Sequence, residues 1–275
     1  MTEATSGDAA DHVRAKYDTA IFGLLTTVWG EHLHMALFED PSEPFGVATE
    51  RATATMARGL RLRPGQRLLE VACGIGGTAR YLARTFGVAV EATNVSAMQI
   101  DQGRRLSEAA GLGHLNRFSY ADYHDLPFDE ASFDAWWCQE AMLYSPDKRR
   151  VLDEALRVVR PGGQLVLSDL LFTAAMPMAE REPFMRRQGA RHFWTIEQYD
   201  ALLATMKLRV LERHDWSRHV APTFDSVTDR FTARRAEFAA EVGFAEVDEV
   251  IGRLAMQRDA ARAGRLGWAF YRIAA

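Results

Sequence analysis

Leu68-Leu-Glu-Val-Ala-Cys-Gly-Ile-Gly-Gly77 is the stretch whose reading decides the fold. An apolar run carrying one acid, Glu70, enters a turn with glycine at 74, 76 and 77, and a helical pattern follows over 77–86. Glycine lacks a Cβ and accepts positive φ, so such a turn lets backbone pass close to a ligand. An acid at the strand end can accept hydrogen bonds from polar groups held over that turn.

Downstream the pattern repeats. Short apolar runs at 67–71, 88–93, 118–120, 133–139 and 164–169 alternate with helical stretches at 77–86, 96–110 and 147–159. Alternation of this kind implies a doubly wound, mostly parallel α/β sheet covered on both faces. Arg160-Pro161-Gly162-Gly163 should stop one helix and turn the chain into the next strand, because proline cannot continue the helical ladder.

Upstream, Val13, Tyr17, Ala20, Ile21, Leu24, Leu25 and Val28 recur at helical spacing and predict one amphipathic helix over 9–28. An irregular aromatic-rich stretch follows at 29–38, then turn residues Pro41, Ser42, Pro44 and Gly46, then a helix over 47–60. Beyond the sheet, 173–191 loses periodicity and gathers arginines, which reads as a cap insertion. Thr195 and Gln198 make a capping box for a helix reaching Met206. A strand at 208–215, a long helical stretch at 224–263 and a strand at 267–273 complete the pattern.

At 275 residues the chain fits one large domain or a core plus a cap. It reads as a single domain over 1–275: a helical lid over 1–60, a ligand-binding core over 61–172, a cap over 173–206 and a C-terminal part over 207–275. Apolar residues at 48%, charged residues at 25% and a mean hydropathy of −0.20 exclude disorder as the main state. A net charge of −4 supplies no basic face for tracking a nucleic-acid backbone. Cys73 and Cys138 form no CxxC pair and sit at buried strand ends, as reduced thiols of a cytoplasmic protein would. The acidic start, 1–11, lacks a signal-peptide pattern, and no run of about 18 apolar residues suggests a membrane partner. His32 and His34 are too close in an irregular segment for a helical metal pair, and no metal is expected.

The glycine-rich turn admits two nucleotide-binding readings. A dinucleotide fingerprint needs GxGxxG and finds Ala79 at its third place. Glu70, four residues before Gly74, instead resembles the E/DxGxGxG turn of S-adenosylmethionine-dependent methyltransferases, with Ala72 in place of the usual glycine. Three more segments resemble that family in order: Val90-Glu-Ala-Thr-Asn94, Tyr120-Ala-Asp-Tyr123 and Arg157-Val-Val-Arg-Pro-Gly-Gly163. Together the four identify the chain as similar to class I enzymes of the small-molecule branch, with a Rossmann-like fold. Val28-Trp-Gly-Glu-His-Leu-His34, Gln139-Glu-Ala-Met-Leu-Tyr-Ser-Pro-Asp-Lys148 and Arg262-Ala-Gly-Arg-Leu-Gly-Trp268 look most like sarcosine/dimethylglycine N-methyltransferases.

The resemblance implies S-adenosyl-L-methionine as cofactor, held by Glu70, Ala72, Cys73, Gly74, Gly76, Asn94, Gln99, Asp122, Tyr123, Gln139 and Tyr17. Asn94 stands where the family carries an acid for the ribose hydroxyls, and Asp122 where it contacts the adenine amino group. Glu140, His34 and Tyr144 are the catalytic candidates, with Tyr144 where relatives often have histidine. Trp29 is expected to close the acceptor site, and Arg186, Arg187 and Arg191 to grip a substrate carboxylate. The favoured acceptor is a small amino acid such as sarcosine or dimethylglycine. The alternatives are O- or C-methylation of a sugar, phenol or isoprenoid, or a non-catalytic cofactor-binding module. Expected partners are a small-molecule substrate and a second copy of the chain, without nucleic acid or membrane.

Overall fold

The structure, a computed structural model, describes residues 6–40 and 42–275. Residues 1–5 of the acidic start and the turn position Pro41 lie outside the described residues.

Strands β1 (Arg67–Val71), β2 (Ala89–Asn94), β3 (Asn116–Tyr120), β4 (Phe133–Gln139), β5 (Val159–Phe172), β6 (Val210–Asp215) and β7 (Leu266–Ala274) form one sheet in the order β3-β2-β1-β4-β5-β7-β6. The pairs among β1 to β5 are parallel, and β7 runs antiparallel to both its neighbours. The core shows why the apolar runs are continuous. On β4 Ala135 and Trp137 pack on one face while Phe133, Trp136 and Cys138 pack on the other. Two successive indoles, both fully buried, require a sheet covered on both sides.

The covering helices are α1 (Ser6–Tyr17), α2 (Ala20–Trp29), α3 (Phe45–Ala57), α4 (Gly77–Phe86), α5 (Ala97–Ala109), α6 (Lys148–Val158), α7 (Met178–Gln188), α8 (Ile196–Thr205), α9 (Val220–Ala233), α10 (Arg235–Val242) and α11 (Phe244–Arg262). Their starts follow local chemistry: Ser96 caps α5, Asp147 caps α6, and Thr195 with Gln198 forms the capping box of α8.

Three expectations change. The single helix expected over 9–28 is two, because Thr19 is extended (φ −131°) and its hydroxyl accepts from the Phe22 amide at 3.3 Å, capping α2. The Ser96 hydroxyl, the cap of α5, donates to Asp18 and fastens this break to the sheet end. The long helical stretch at 224–263 is three helices, interrupted at Arg234 and at Gly243 (φ 92°). Pro161-Gly162-Gly163 is a bulge inside β5, where the register with β4 shifts and the Gly162 amide donates to Ala275 O at 3.3 Å.

A third apolar cluster lies apart from the two sheet faces. Leu24, Val28, Phe45, Phe231, Phe238 and Leu254 join α2 and α3 to α9, α10 and α11, so both ends of the chain build one helical layer. Among the described residues no helix is long and apolar enough to cross a membrane.

Candidate active site

Three adjoining hollows meet where this helical layer faces the ends of β1, β2 and β4. The first, about 90 Å³, lies over the glycine-rich turn and is lined by Glu70, Cys73, Gly74, Gly77, Thr78, Gln99 and Gln139. A side lobe of about 50 Å³ runs between Ala72, Asn94, Val95, Asp122 and Tyr123. The third, about 190 Å³, is walled by Ile21, Phe22, Leu25, Trp29, Leu170, Phe224, Val250 and Leu254. Tyr144 lines all three, while His34, Glu140 and Tyr17 line both the first and the third.

The residues at this meeting point are held tightly. Glu140 follows β4 with φ 43°, a left-handed conformation that a side chain with a Cβ rarely adopts. Its carboxylate accepts from the Met35 amide at 3.0 Å, from Trp268 Nε1 at 2.8 Å and from the Ser168 hydroxyl. Burial pushes its pKa up against the pull of these donors. His34 Nδ1 donates to Met35 O at 2.9 Å, so neutral Nε2 accepts from the Thr53 hydroxyl at 2.9 Å. Burial lowers His34 to about 4 and, with His34 and Arg80 close by, His32 to about 2. The Tyr144 hydroxyl lies 2.7 Å from that of Tyr17 and accepts from Lys16 Nζ at 2.9 Å. Burial lifts Tyr144 to about 12 and lowers Lys16.

Over the turn, two buried polar atoms lack any protein partner: Glu70 Oε2 and Gln139 Nε2. Gln139 Oε1 is already engaged by Thr78 Oγ1 at 2.8 Å and Trp137 Nε1 at 2.7 Å. Burial pushes Glu70 up to about 8 despite the Arg80 guanidinium nearby. Orphaned buried donors and acceptors are costly, and their presence in one hollow marks a ligand site.

Known proteins resemble this chain in sequence and in fold. The methyltransferase domain family matches residues 69–167. The 27-O-demethylrifamycin SV methyltransferase of Amycolatopsis mediterranei (strain S699) is 32% identical over 240 residues, 86% of this chain and 88% of its own. The glycine/sarcosine/dimethylglycine N-methyltransferase of Actinopolyspora halophila is 31% identical over 217 residues, 78% of this chain. The chain spans only 38% of that relative's length. The crystal structure of a Mycobacterium tuberculosis cyclopropane synthase superposes with a TM-score of 0.87 at 18% identity, covering 97% of this chain and 98% of that one, a likeness of fold.

The chain belongs to the S-adenosylmethionine-dependent methyltransferases. It is an enzyme acting on a small molecule, and its cofactor is S-adenosyl-L-methionine. The methyltransferase's own residues fit that group: one hollow is lined by Glu70 and Gln139, each with an unpartnered buried polar atom, and by the backbone of the glycine-rich turn. Gly77 has no room for a side chain, since a Cβ there would strike the Glu31 carbonyl of the lid.

Of the cofactor residues read from the sequence, Glu70, Ala72, Cys73, Gly74, Asn94, Gln99, Gln139 and Tyr17 line the hollow over the turn. Asp122 and Tyr123 line the side lobe. Asp122 also receives His124 Nδ1 at 2.7 Å, and His124 Nε2 reaches Ser145 Oγ at 2.8 Å, which ties the lobe to the loop carrying Tyr144. Asn94 is more occupied than expected: Oδ1 accepts from the Val95 and Ser96 amides and Nδ2 donates to Gln99 Oε1 at 2.8 Å.

Two expectations are corrected. Gly76 does not line the hollow; a Cβ there would enter the Phe118 ring, so this glycine serves packing against β3. Arg186, Arg187 and Arg191 do not line the 190 Å³ cavity. All three are exposed, and Arg186 is paired with Glu182 at 2.8 Å. The basic groups that do line it, Lys16 and Arg253, were missed. Lys16 carried one faint signal, as one of three lysines in a chain otherwise using arginine, directly before Tyr17.

Proposed function

We propose that this methyltransferase transfers a methyl group to a hydroxyl oxygen of an apolar, ring-sized small molecule, and not to sarcosine or dimethylglycine. The observation that carries the reading is the wall of the 190 Å³ cavity, built from Ile21, Phe22, Leu25, Trp29, Leu143, Leu170, Phe224, Val250 and Leu254. A methylated glycine would leave that wall unfilled, and a wall of this kind buries a hydrophobic ligand at roughly 25 cal/mol per Å². The O-methyltransferase named for 27-O-demethylrifamycin SV, at 32% identity, supports the reading.

When bound, S-adenosylmethionine supplies an electrophilic methyl on a sulfonium. Glu70 and Gln139 would hold its polar end, Asn94 and Gln99 its ribose, and Asp122 with Tyr123 its base. Alignment of the acceptor with the methyl is the main task, since positioning is worth roughly 7 to 11 kcal/mol. Glu140 Oε2, at the border of both cavities, accepts the acceptor's O–H proton, and its raised pKa makes it the stronger base. The same carboxylate beside an amine would hold that amine protonated and block its lone pair, which argues against N-methylation. The Tyr144 hydroxyl orients the acceptor oxygen, and His34, held by Met35 O and Thr53, shapes the wall beside it.

In this reading residues 1–275 act as one methyltransferase domain, with 1–60 as lid, 61–172 as cofactor core, 173–206 as cap and 207–275 completing sheet and cap. It works in the cytoplasm, in keeping with two unpaired, buried cysteines. The test is a methyl-transfer screen with S-adenosylmethionine over phenols, macrocyclic alcohols, sugars, sarcosine and dimethylglycine. Turnover confined to hydroxyl acceptors with apolar bodies is expected. Turnover confined to sarcosine or dimethylglycine would overturn the proposal.

A further inference from the structure

The 190 Å³ cavity is apolar along most of its wall, yet it also takes in two basic groups, Lys16 and Arg253, that make no ion pair among the described residues. Lys16 is half-buried, and its hydrogen bonds go to neutral oxygens only: Tyr144 Oη at 2.9 Å and Gln188 O at 3.0 Å. It also sits 5.0 Å from the Tyr144 ring centroid and 5.5 Å from that of Tyr17. Arg253 is half-buried and lines the same cavity, and among the described residues it makes neither a hydrogen bond nor an ion pair. Its neighbours on α11 behave differently: Arg258 pairs with Asp259 at 3.2 Å and Arg262 with Asp225 at 2.8 Å. Gln257, 6% exposed, lines the cavity as well, and its side-chain amide also has no hydrogen-bond partner among the described residues.

The helix explains the grouping. Val250, Arg253, Leu254 and Gln257 recur at the spacing that places side chains on one face, and that face covers the cavity. A half-buried ammonium and guanidinium without a counter-charge are costly, and proteins normally pair such groups. The one acid in the lining, Glu140, makes no ion pair with Lys16 or Arg253 among the described residues; its bonds come from Met35, Ser168 and Trp268. Neither Lys16 nor Arg253 lines the hollow over the glycine-rich turn; both line the cavity beyond it.

We infer that Lys16 and Arg253 form an anion-binding subsite for the acceptor, which therefore carries a carboxylate or a comparably acidic oxygen on an apolar body. Arg253 offers its fork to the anion, Lys16 supplies the second charge, and Gln257 donates beside them. This rests on the reading that the cavity receives the acceptor, and it narrows the substrate class to apolar acids.

The test titrates octanoate and 1-octanol separately into the protein saturated with S-adenosylhomocysteine, so that the cofactor's own carboxylate is already housed. Octanoate is expected to bind at least about tenfold more tightly than 1-octanol, the range of one charge-assisted contact. Arg253→Met should remove most of that preference while 1-octanol affinity stays constant, and Arg253→Lys should restore part of it. Unchanged S-adenosylhomocysteine affinity in both variants shows that they fold. Equal affinity for the two probes, equal losses for both in Arg253→Met, or binding of neither probe would overturn the subsite. Octanoate binding that depends on Arg253, together with turnover of dimethylglycine alone, would keep the subsite and sink the hydroxyl acceptor. Methylation of neutral hydroxyl acceptors without any octanoate preference would do the reverse.

Discussion

The two cavities of this enzyme are built in opposite ways. Most of the cofactor hollow comes from one stretch of chain, the ends of β1, β2 and β4 and the turns that follow them, closed by His32, Leu33 and His34 of the lid. The cavity proposed for the acceptor is assembled from α1 and α2, the segments after α2 and β4, one face of α11 and single positions on β5 and α9. The first is polar and backbone-lined, as a shared ligand requires. The second is lined mostly by apolar side chains, with Lys16 and Arg253 among them.

Glu140 belongs to both cavities, so changing it is the strongest way to break the contrast. Glu140→Gln keeps the shape and an acceptor oxygen for the Ser168 and Trp268 donors, but turns an amide NH2 toward the Met35 N–H and removes the base. Steady-state kinetics should show kcat lower by roughly 10² to 10⁴-fold, with S-adenosylhomocysteine affinity by calorimetry within about twofold of the parent. Loss of cofactor affinity in place of kcat would move Glu140 into the cofactor half.

Glu70→Gln addresses the other half. A carboxylate that meets the cofactor's ammonium should be worth about 1.5 to 3 kcal/mol, so at pH 8 affinity should fall roughly 10- to 100-fold while octanoate binding is untouched. The pH dependence has a defined sign. With its pKa at about 8 in the folded protein against an ordinary 4.5, Glu70 keeps a proton in the folded state that the unfolded chain has lost. Between those values the ligand-free enzyme therefore loses stability as pH rises, by at most about 1.4 kcal/mol per pH unit. Cofactor affinity rises over the same window, because the charged form is the one that binds. Urea unfolding and calorimetry between pH 5 and 9 check both slopes, and the Gln variant should flatten them.

The same division governs what the sequence makes legible. Sheet order and the cofactor hollow depend on local signals: glycine spacing at 74–77, acids at strand ends, caps at Ser96 and Asp147. Residues such as Glu70, Gln99 and Gln139 could therefore be placed before any fold was known. Gly76 misleads because φ 73° and a tight fit against Phe118 produce the same residue as ligand contact would. The acceptor cavity depends on how both ends of the chain close over the sheet, which no local period records. Arg253 and Gln257 look like ordinary solvated positions of a long helix until α11 is seen packed against α9 and α2. Arg186 and Arg187 of α7 and Arg191 just beyond it, clustered in sequence, draw attention that their exposed positions do not justify.

Those arginines sharpen the contrast by an expected absence of effect. Replacing Arg186, Arg187 and Arg191 together by alanine should change KM for the acceptor by less than about twofold, since exposed pairs such as Arg186 with Glu182 contribute about 0 to 1 kcal/mol. Stability should fall by no more than that amount in urea unfolding. A KM rise of tenfold would return the acceptor's charged end to the cap.

The smallest effect concerns Ala72, where this chain departs from the usual glycine. Ala72 sits at φ 52° with its neighbour Cys73 donating its amide to Thr93 O at 3.0 Å, so the turn is fixed by the sheet and not by residue preference. A Cβ in this conformation costs about 1 to 2 kcal/mol, while glycine adds roughly 0.4 to 1 kcal/mol of unfolded-state freedom. Ala72→Gly should therefore raise stability by no more than about 1 kcal/mol, a few degrees in Tm, and leave S-adenosylhomocysteine affinity within about twofold. A marked loss of affinity would mean that the Ala72 methyl packs on the bound cofactor, and the substitution would then belong to cofactor recognition and not to tolerated strain.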